Sequence, residues 1–153
     1  MTKTPPAPSG TARSGRATRD RYPRFRQMTT RWMDNDVYGH VNNVIYYSFF
    51  DTAVNATLID EGLLDLQTSP VIGLVVETGC TYATALSFPD VVDAGIRVAK
   101  IGTSSVRYEV GLFKAGEDLA AAEGYFVHVY VDATTRRPTP VASDLRAFLE
   151  TLK

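Results

Sequence analysis

The sequence predicts an α+β domain in which one curved antiparallel sheet wraps a single long helix. Residues 44–62 carry apolar side chains around most of a helical circumference, a pattern typical of a helix buried on several sides. Segments that alternate apolar and polar residues follow this helix, and short turns separate them. A helix buried on several sides needs an element that surrounds it, and an antiparallel sheet can do so.

A strand and a capped helix open the predicted domain. Within residues 24–32, Met28, Thr30 and Trp32 fall on one face at a period of two, which indicates a strand. A loop rich in Asp, Asn and Gly follows this strand. Either Asn42 or Asn43 can cap the long helix, because short polar side chains accept hydrogen bonds from the first turn.

Four strands and a short helix complete the prediction. The strands lie within residues 71–84, 96–100, 106–113 and 119–132. In the last strand Val127 and Val129 belong to the apolar face, so we expect His128 on the outward face. Pro138 and Pro140 end the sheet, because proline cannot donate ladder hydrogen bonds. A short terminal helix then carries the last apolar residues of the chain.

Composition limits the class of protein. The chain has 153 residues, a formal net charge of −1 and one cysteine. This length suits one domain, and this charge favours neither a nucleic-acid nor a membrane partner. A single cysteine excludes an intrachain disulfide framework and suits the cytoplasm, where we expect the protein to be. We expect no metal and no cofactor, because two histidines and one cysteine are too few to favour a zinc site.

The beginning of the chain differs from the rest. Residues 1–22 are rich in Thr, Ser, Pro, Gly and Arg and offer little apolar surface to bury. Such a segment cannot offset the entropy lost on ordering, so we predict a disordered tail there. The folded domain is then expected to cover residues 23–153.

The loop before the helix carries the residues best suited to chemistry. Asp34, Asp36 and His40 lie there, and Asn42 and Asn43 stand where the helix begins. The first turn of a helix has backbone N–H groups without internal partners and a positive dipole, so it can hold a developing oxyanion. A nearby carboxylate can attack a carbonyl or activate water. The alternative interpretation is a loop that only turns the chain and caps the helix.

This loop resembles a known family. The pattern Asp-x-Asp-x-x-Gly-His-Val-Asn-Asn before an aromatic-rich helix is similar to the signature of the 4-hydroxybenzoyl-CoA thioesterase family, which are hotdog-fold acyl-CoA thioesterases. It also resembles the Asn-x-His-x-x-Asn-Asn region of plant-type acyl-ACP thioesterases. The resemblance implies a hotdog fold and hydrolysis of an acyl-CoA thioester. It implies Asp36 as the catalytic carboxylate, as nucleophile or as general base, and Asp34 as the residue that shapes the loop.

The resemblance also implies roles for neighbouring residues. The backbone N–H of Asn43, with Asn42 beside it, corresponds to the oxyanion donor. His40 either orients Asp36 or contacts substrate, and hydrogen bonding within the loop is an equal alternative. Tyr46 is expected beside the substrate or in the core.

One departure from the family concerns the nucleotide. Some members carry adjacent arginines before the serine-rich turn, where this chain has Gly102 and Thr103. The remaining candidates for phosphate contacts are backbone amides from Gly102 through Ser104 and scattered basic side chains. Whether the thioester is carried by CoA or by acyl carrier protein therefore stays open.

Two rival functions remain. A hotdog dehydratase also pairs an Asp with a His, and a non-catalytic module would bind an acyl thioester without turnover. Relatives of this fold pair their sheet edges and place the site between protomers, so we expect a homodimer or homotetramer.

Overall fold

The computed structural model describes residues 15–153, and its single sheet is antiparallel and five-stranded. The elements are β1 (Arg24–Thr29), α1 (Ile45–Asp60), β2 (Val71–Tyr82), β3 (Val91–Ile101), β4 (Ser105–Lys114), β5 (Ala122–Asp132) and α2 (Ser143–Glu150). The strand order is β1-β3-β4-β5-β2. The sheet packs around α1, so the predicted α+β architecture is confirmed.

The chain path explains this strand order. Short turns join β3 to β4 and β4 to β5, which is why these three strands are neighbours. The connection from β1 to β2 runs through α1, and these two strands form the opposite edges of the sheet. We call the two ends of the sheet the Tyr82 end and the Val71 end, after the last and first residues of β2.

The core lies between α1 and the inner face of the sheet. Phe50, Ala53 and Val54 of the helix are buried against it, and Gly124 of β5 lies directly beneath the Phe50 ring. A Cβ atom on Gly124 would lie 2.2 Å from two ring carbons of Phe50, so only glycine permits this close approach. The helix is not buried all round, because its side at Asp51 is exposed.

The packed domain begins before the predicted boundary at residue 23. Ala17 and Tyr22 are buried in a small cluster with Phe113, on the outer face of the sheet. The Tyr22 ring fills the space above two glycines, Gly95 and Gly111, which have no side chains to occupy it. Residues 1–14 of the predicted tail lie outside the described residues.

Two further predictions need correction. Trp32 does not continue β1, because the strand ends at Thr29 and Trp32 lies exposed in a short 3-10 turn, with its ring 5.9 Å from that of Phe88. His128 does not face outward, because it shares the buried inner face of β5 with Phe126 and Tyr130.

The edge strand β2 has an unusual exposed surface. Leu74, Val75 and Val76 are exposed apolar residues, and the ladder to β5 shifts register between Val75 and Glu77. Its other edge has no paired strand among the described residues. Unpaired strands with apolar side chains readily pair with another strand. Within residues 15–153 no helix is both long and apolar enough to cross a membrane.

Candidate active site

The loop from β1 to α1 is fixed by a buried carboxylate. The side chain of Asp34 is fully enclosed and accepts the backbone N–H of Arg31 at 2.7 Å and the Arg31 guanidinium at 2.8 and 3.0 Å. The carbonyl of Asp34 accepts the N–H of Asn42 at 2.8 Å. Asp34 therefore ties the start of the loop to the start of the helix, which agrees with the loop-shaping role that the resemblance implied.

Asp36 lies in a tight turn within this loop. Its N–H donates to the carbonyl of His40 at 2.9 Å, and its carboxylate Oδ1 accepts the N–H of Tyr38 at 2.9 Å. Gly39 completes the turn with φ +83°, a conformation that favours glycine. The half-exposed carboxylate keeps Oδ2 free of hydrogen bonds within residues 15–153. His40 contacts Asp36 through its backbone, not through an imidazole hydrogen bond.

The helix start presents a backbone donor. The Asn42 side chain accepts the N–H of Val44 at 3.0 Å, and its carbonyl accepts the N–H of Ile45 at 2.9 Å, so Asn42 forms the turn that leads into α1. The N-cap residue itself is Val44, which makes no side-chain capping hydrogen bond. Among the described residues the N–H of Asn43 has no hydrogen-bond acceptor. An unpaired N–H at the positive end of a helix can stabilise an oxyanion.

A cleft of about 270 Å³ adjoins this donor. His40, Asn43 and Tyr46 all line it, together with Tyr82 from the end of β2. The Tyr82 hydroxyl donates to the carbonyl of Asn43 at 2.9 Å, and its ring meets the edge of the Tyr46 ring at 4.9 Å. Asp36 reaches this region through the His40 turn rather than lining the cleft itself. Tyr82 was not singled out from the sequence, because a strand tyrosine carries no signal of its partner.

Tyr46 is mainly a core residue. Its ring is buried, and its hydroxyl accepts the N–H of Leu86 at 3.3 Å. Burial raises the pKa of this hydroxyl above its ordinary value, so the phenol stays neutral at physiological pH. Only the side of Tyr46 toward the cleft is open to a ligand.

The turn between β3 and β4 lies elsewhere in the chain. Gly102 closes it by donating to the carbonyl of Ser105 at 2.7 Å, and the carbonyls of Thr103 and Ser104 accept N–H groups of Val141 and Tyr130. This turn is at the Val71 end of the sheet, roughly 35 Å along the strands from the Asp36 loop. A single chain therefore does not bring Gly102, Thr103 and Ser104 to the candidate catalytic residues.

A second cavity lies at the Val71 end of the sheet. It has a volume of about 390 Å³ and lies between α1, β2, β5 and α2. Its wall includes His128, whose burial lowers the imidazole pKa to about 4. This cavity could not be predicted from local sequence patterns, because segments far apart in the chain form it.

Comparison with known proteins places this chain in a family. The family model of the Thioesterase-like superfamily matches residues 30–149. The structure is similar to that of the PA5185 protein of Pseudomonas aeruginosa strain PAO1, with 50% identity, a TM-score of 0.88, and coverage of 90% of this chain and 96% of that one. It is also similar to the PA2801 protein of Pseudomonas aeruginosa, with 30% identity, a TM-score of 0.77, and coverage of 84% and 98%.

A more distant structure shares the fold. The 1,4-dihydroxy-2-naphthoyl-CoA thioesterase of Synechocystis has 14% identity to this chain and a TM-score of 0.74, with coverage of 82% of this chain and 93% of that one. No protein with curated annotation matches the sequence. The fold and the family match define a hotdog-fold thioester hydrolase. The chain belongs to the Thioesterase-like superfamily, which confirms the resemblance drawn from its sequence.

Proposed function

We propose that this protein hydrolyses acyl-CoA thioesters to a carboxylic acid and CoA, with Asp36 as the catalytic carboxylate. The observation that carries the proposal is the unpaired N–H of Asn43 at the start of α1, joined through a short turn to Asp36. The donor suits the thioester oxygen, and the carboxylate suits the carbonyl carbon or the water beside it. The Synechocystis relative is named for a CoA thioester, which supports CoA as the leaving group.

The chemistry can follow two routes with the same products. In one, the Asp36 carboxylate attacks the carbonyl carbon and forms a mixed anhydride, which water then hydrolyses. In the other, water attacks while Asp36 accepts its proton. In both, the C–S bond breaks, the thiolate leaves with its electron pair and takes up a proton, and the Asn43 N–H stabilises the charge on the carbonyl oxygen. His40, at the same turn, is placed to contact substrate or to support the loop.

A thiol-release assay with a panel of acyl-CoA esters tests this function. We expect turnover that yields one thiol and one acid per thioester consumed. Hydration of an enoyl-CoA without thiol release would instead indicate a dehydratase, and saturable binding without turnover would indicate a binding module. Faster hydrolysis of an acyl-ACP than of the matching acyl-CoA would indicate that the substrate is carried by acyl carrier protein.

The working unit of this enzyme is proposed to be a homodimer, or a tetramer built from it. The exposed apolar strand β2 suits pairing with the same strand of a second copy. In an antiparallel pair, the Tyr82 end of one chain lies beside the Val71 end of the other. The Asn43 donor of one protomer would then face the partner subunit's Gly102, Thr103 and Ser104, whose backbone can contact the nucleotide.

We expect Val76→Lys to weaken this assembly. Val76 lies at the register shift of β2 with 62% of its surface exposed, so a lysine there should leave the fold of a single chain intact. In the dimer, the two introduced lysines would repel each other across the paired β2 strands. Light scattering at micromolar concentration should show a smaller mass, and thiol release should fall with it. Leu66→Lys is the matched control, because Leu66 is also exposed but lies outside β2. An unchanged mass and activity in Val76→Lys would refute pairing through this edge.

A further inference from the structure

We infer that Tyr82 is a positioning residue for thioester hydrolysis, because its hydroxyl holds Asn43 in the orientation in which the Asn43 N–H can meet the thioester oxygen. Tyr82 is the last residue of β2, and Asn43 lies just before α1, so this hydrogen bond ties the sheet to the helix start. This role of Tyr82 rests on the proposed function and adds a residue to it. It follows from the hydrogen bonds around Asn43, from the anchoring of Tyr82 in the sheet and from the cleft that both residues line.

The start of α1 has few interactions of its own to hold it in place. Its N-cap residue, Val44, makes no side-chain capping hydrogen bond and has 60% of its surface exposed. Asn43, the residue before it, is exposed as well. The ends of helices lack the full set of internal hydrogen bonds, and they fray. A backbone donor at this place therefore keeps a fixed direction only if other parts of the chain hold it.

Two successive peptide groups set the direction of the Asn43 N–H. The first group contains this N–H and the Asn42 carbonyl, which accepts the N–H of Ile45 at 2.9 Å. The second contains the Asn43 carbonyl and the N–H of Val44, which donates to the Asn42 side chain at 3.0 Å. The Asn43 carbonyl accepts the Tyr82 hydroxyl at 2.9 Å, and no other side chain that the structure describes donates to it. Because peptide groups are planar, holding both of them leaves the N–H little freedom to turn.

Tyr82 can hold Asn43 because the sheet holds Tyr82. Its backbone pairs with Ala122 of β5, and the N–H groups of the next two residues both donate to the carbonyl of Ala121, at 2.8 and 3.1 Å. Its ring packs edge-on against the buried ring of Tyr46, with 4.9 Å between the centroids. A side chain that is locked by its neighbours orients a functional group more firmly than a free one does. The Tyr82 hydroxyl is therefore a fixed donor for the Asn43 carbonyl.

The role of Tyr82 in the reaction passes through Asn43. Both residues line the cleft of about 270 Å³ at the helix start. A phenol has one proton to donate, and Tyr82 gives it to the Asn43 carbonyl, so this hydroxyl does not itself serve the thioester oxygen. A donor stabilises an oxyanion best when it already points to the place where the charge develops. Tyr82 therefore contributes by keeping the Asn43 N–H aimed at that place before the substrate arrives.

Steady-state hydrolysis by Tyr82→Phe tests this role, because phenylalanine keeps the ring against Tyr46 and removes only the hydroxyl. We expect kcat to fall by about 3- to 10-fold, the range of one neutral hydrogen bond, while KM stays within about twofold. The matched control is Tyr125→Phe, since Tyr125 also lies in a strand and donates its hydroxyl to Glu77 at 3.0 Å, but does not line the cleft. The control should keep full kcat. An unaltered kcat in Tyr82→Phe would overturn the inference.

A double-mutant cycle tests whether Tyr82 acts through the Asn43 N–H. Asn43→Pro removes this N–H, which has no acceptor among the described residues, and leaves the carbonyl that Tyr82 contacts. We expect Asn43→Pro alone to lower kcat by about 10²- to 10³-fold, the usual cost of one oxyanion donor. Adding Tyr82→Phe to this variant should lower kcat no further. The same 3- to 10-fold loss in both backgrounds would mean that Tyr82 acts independently of the donor, which refutes the inference.

Backbone NMR relaxation tests the same contact without any turnover. In Tyr82→Phe we expect the order parameter of the Asn43 amide to fall from about 0.85, the value of a rigid backbone, toward about 0.6. It should stay unchanged in Tyr125→Phe. An equally rigid Asn43 amide in Tyr82→Phe would overturn the positioning role while the proposed function stands. If the unaltered protein cleaves no thioester but the Asn43 amide loosens in Tyr82→Phe, Tyr82 still holds Asn43 and the proposed function fails.

Discussion

Replacing Asp36 with alanine is expected to reduce kcat for thioester hydrolysis by about 10²- to 10⁴-fold, the contribution typical of a general acid–base or nucleophilic group. Asp34, the other carboxylate of the loop, cannot substitute, because it is enclosed and bonded to Arg31. Thiol release at saturating substrate is the measurement. Asp36→Asn should lose a similar factor, since the amide can accept the Tyr38 N–H but can neither attack nor take a proton.

The control for Asp36 is another aspartate whose carboxylate accepts the backbone N–H of the residue two positions later. Asp132 also accepts backbone N–H groups two and three residues later, but it lines neither the cleft at Asn43 nor the cavity at His128. Asp132→Asn should therefore keep nearly full activity. Circular dichroism and light scattering establish that each variant is folded and assembled. An Asp36→Asn protein that hydrolyses thioesters within threefold of the unaltered rate would remove Asp36 from the mechanism.

Replacing Gly124 with alanine is expected to lower the free energy of unfolding by about 3 kcal/mol, at the upper end of the usual cost of overpacking. The added methyl would lie 2.2 Å from the Phe50 ring and 2.9 Å from the carbonyl oxygen of Gly79. Neither can retreat easily, because Phe50 is fully buried and Gly79 belongs to the paired strand. Urea denaturation at fixed protein concentration measures the change.

Two further variants make that measurement specific. Gly15→Ala is the control, since nothing lies within 4 Å of a Cβ atom there and the free energy of unfolding should hardly change. Gly124→Ala combined with Phe50→Leu should recover part of the loss, because leucine frees space above the new methyl. If Gly124→Ala alone stays within about 0.5 kcal/mol of the unaltered protein, the contact with Phe50 is looser than described.

The architecture and the loop chemistry were accessible from the sequence because both depend on local patterns. The helix from Ile45 to Asp60 and the later strands follow from spacing and turn residues. The turn at Asn42 follows from its short polar side chain, although the N-cap position is occupied by Val44 rather than by Asn42 or Asn43. The catalytic role of Asp36 and the cytoplasmic location stay predictions.

The orientation of His128 was wrong because alternation fixes the period of a strand but not which set of residues faces inward. Both faces of β5 are apolar: Phe126 and Tyr130 belong to one, and Val127 and Val129 to the other. The close approach of Phe50 decides between them, and that contact joins residues far apart in the chain. Local pattern cannot supply such information.

The other errors have similar causes. Residues 15–22 looked unable to pack, yet Tyr22 finds a surface prepared by glycines of two different strands. The distance between the turn around Gly102 and the Asp36 loop was also not accessible, because a motif lists residues without their distances. In this chain the two lie at opposite ends of the sheet, so a shared site requires a second copy.

The length of α1 places the two ends of the helix in different surroundings. Its 16 residues form a rod of about 24 Å, with the candidate catalytic residues before its first turn and the cavity at Leu58 and His128 beside its last turns. Substitutions at the far end of the helix would therefore change that cavity and leave the candidate catalytic residues undisturbed. The two ends of α1 can therefore change independently of each other in evolution.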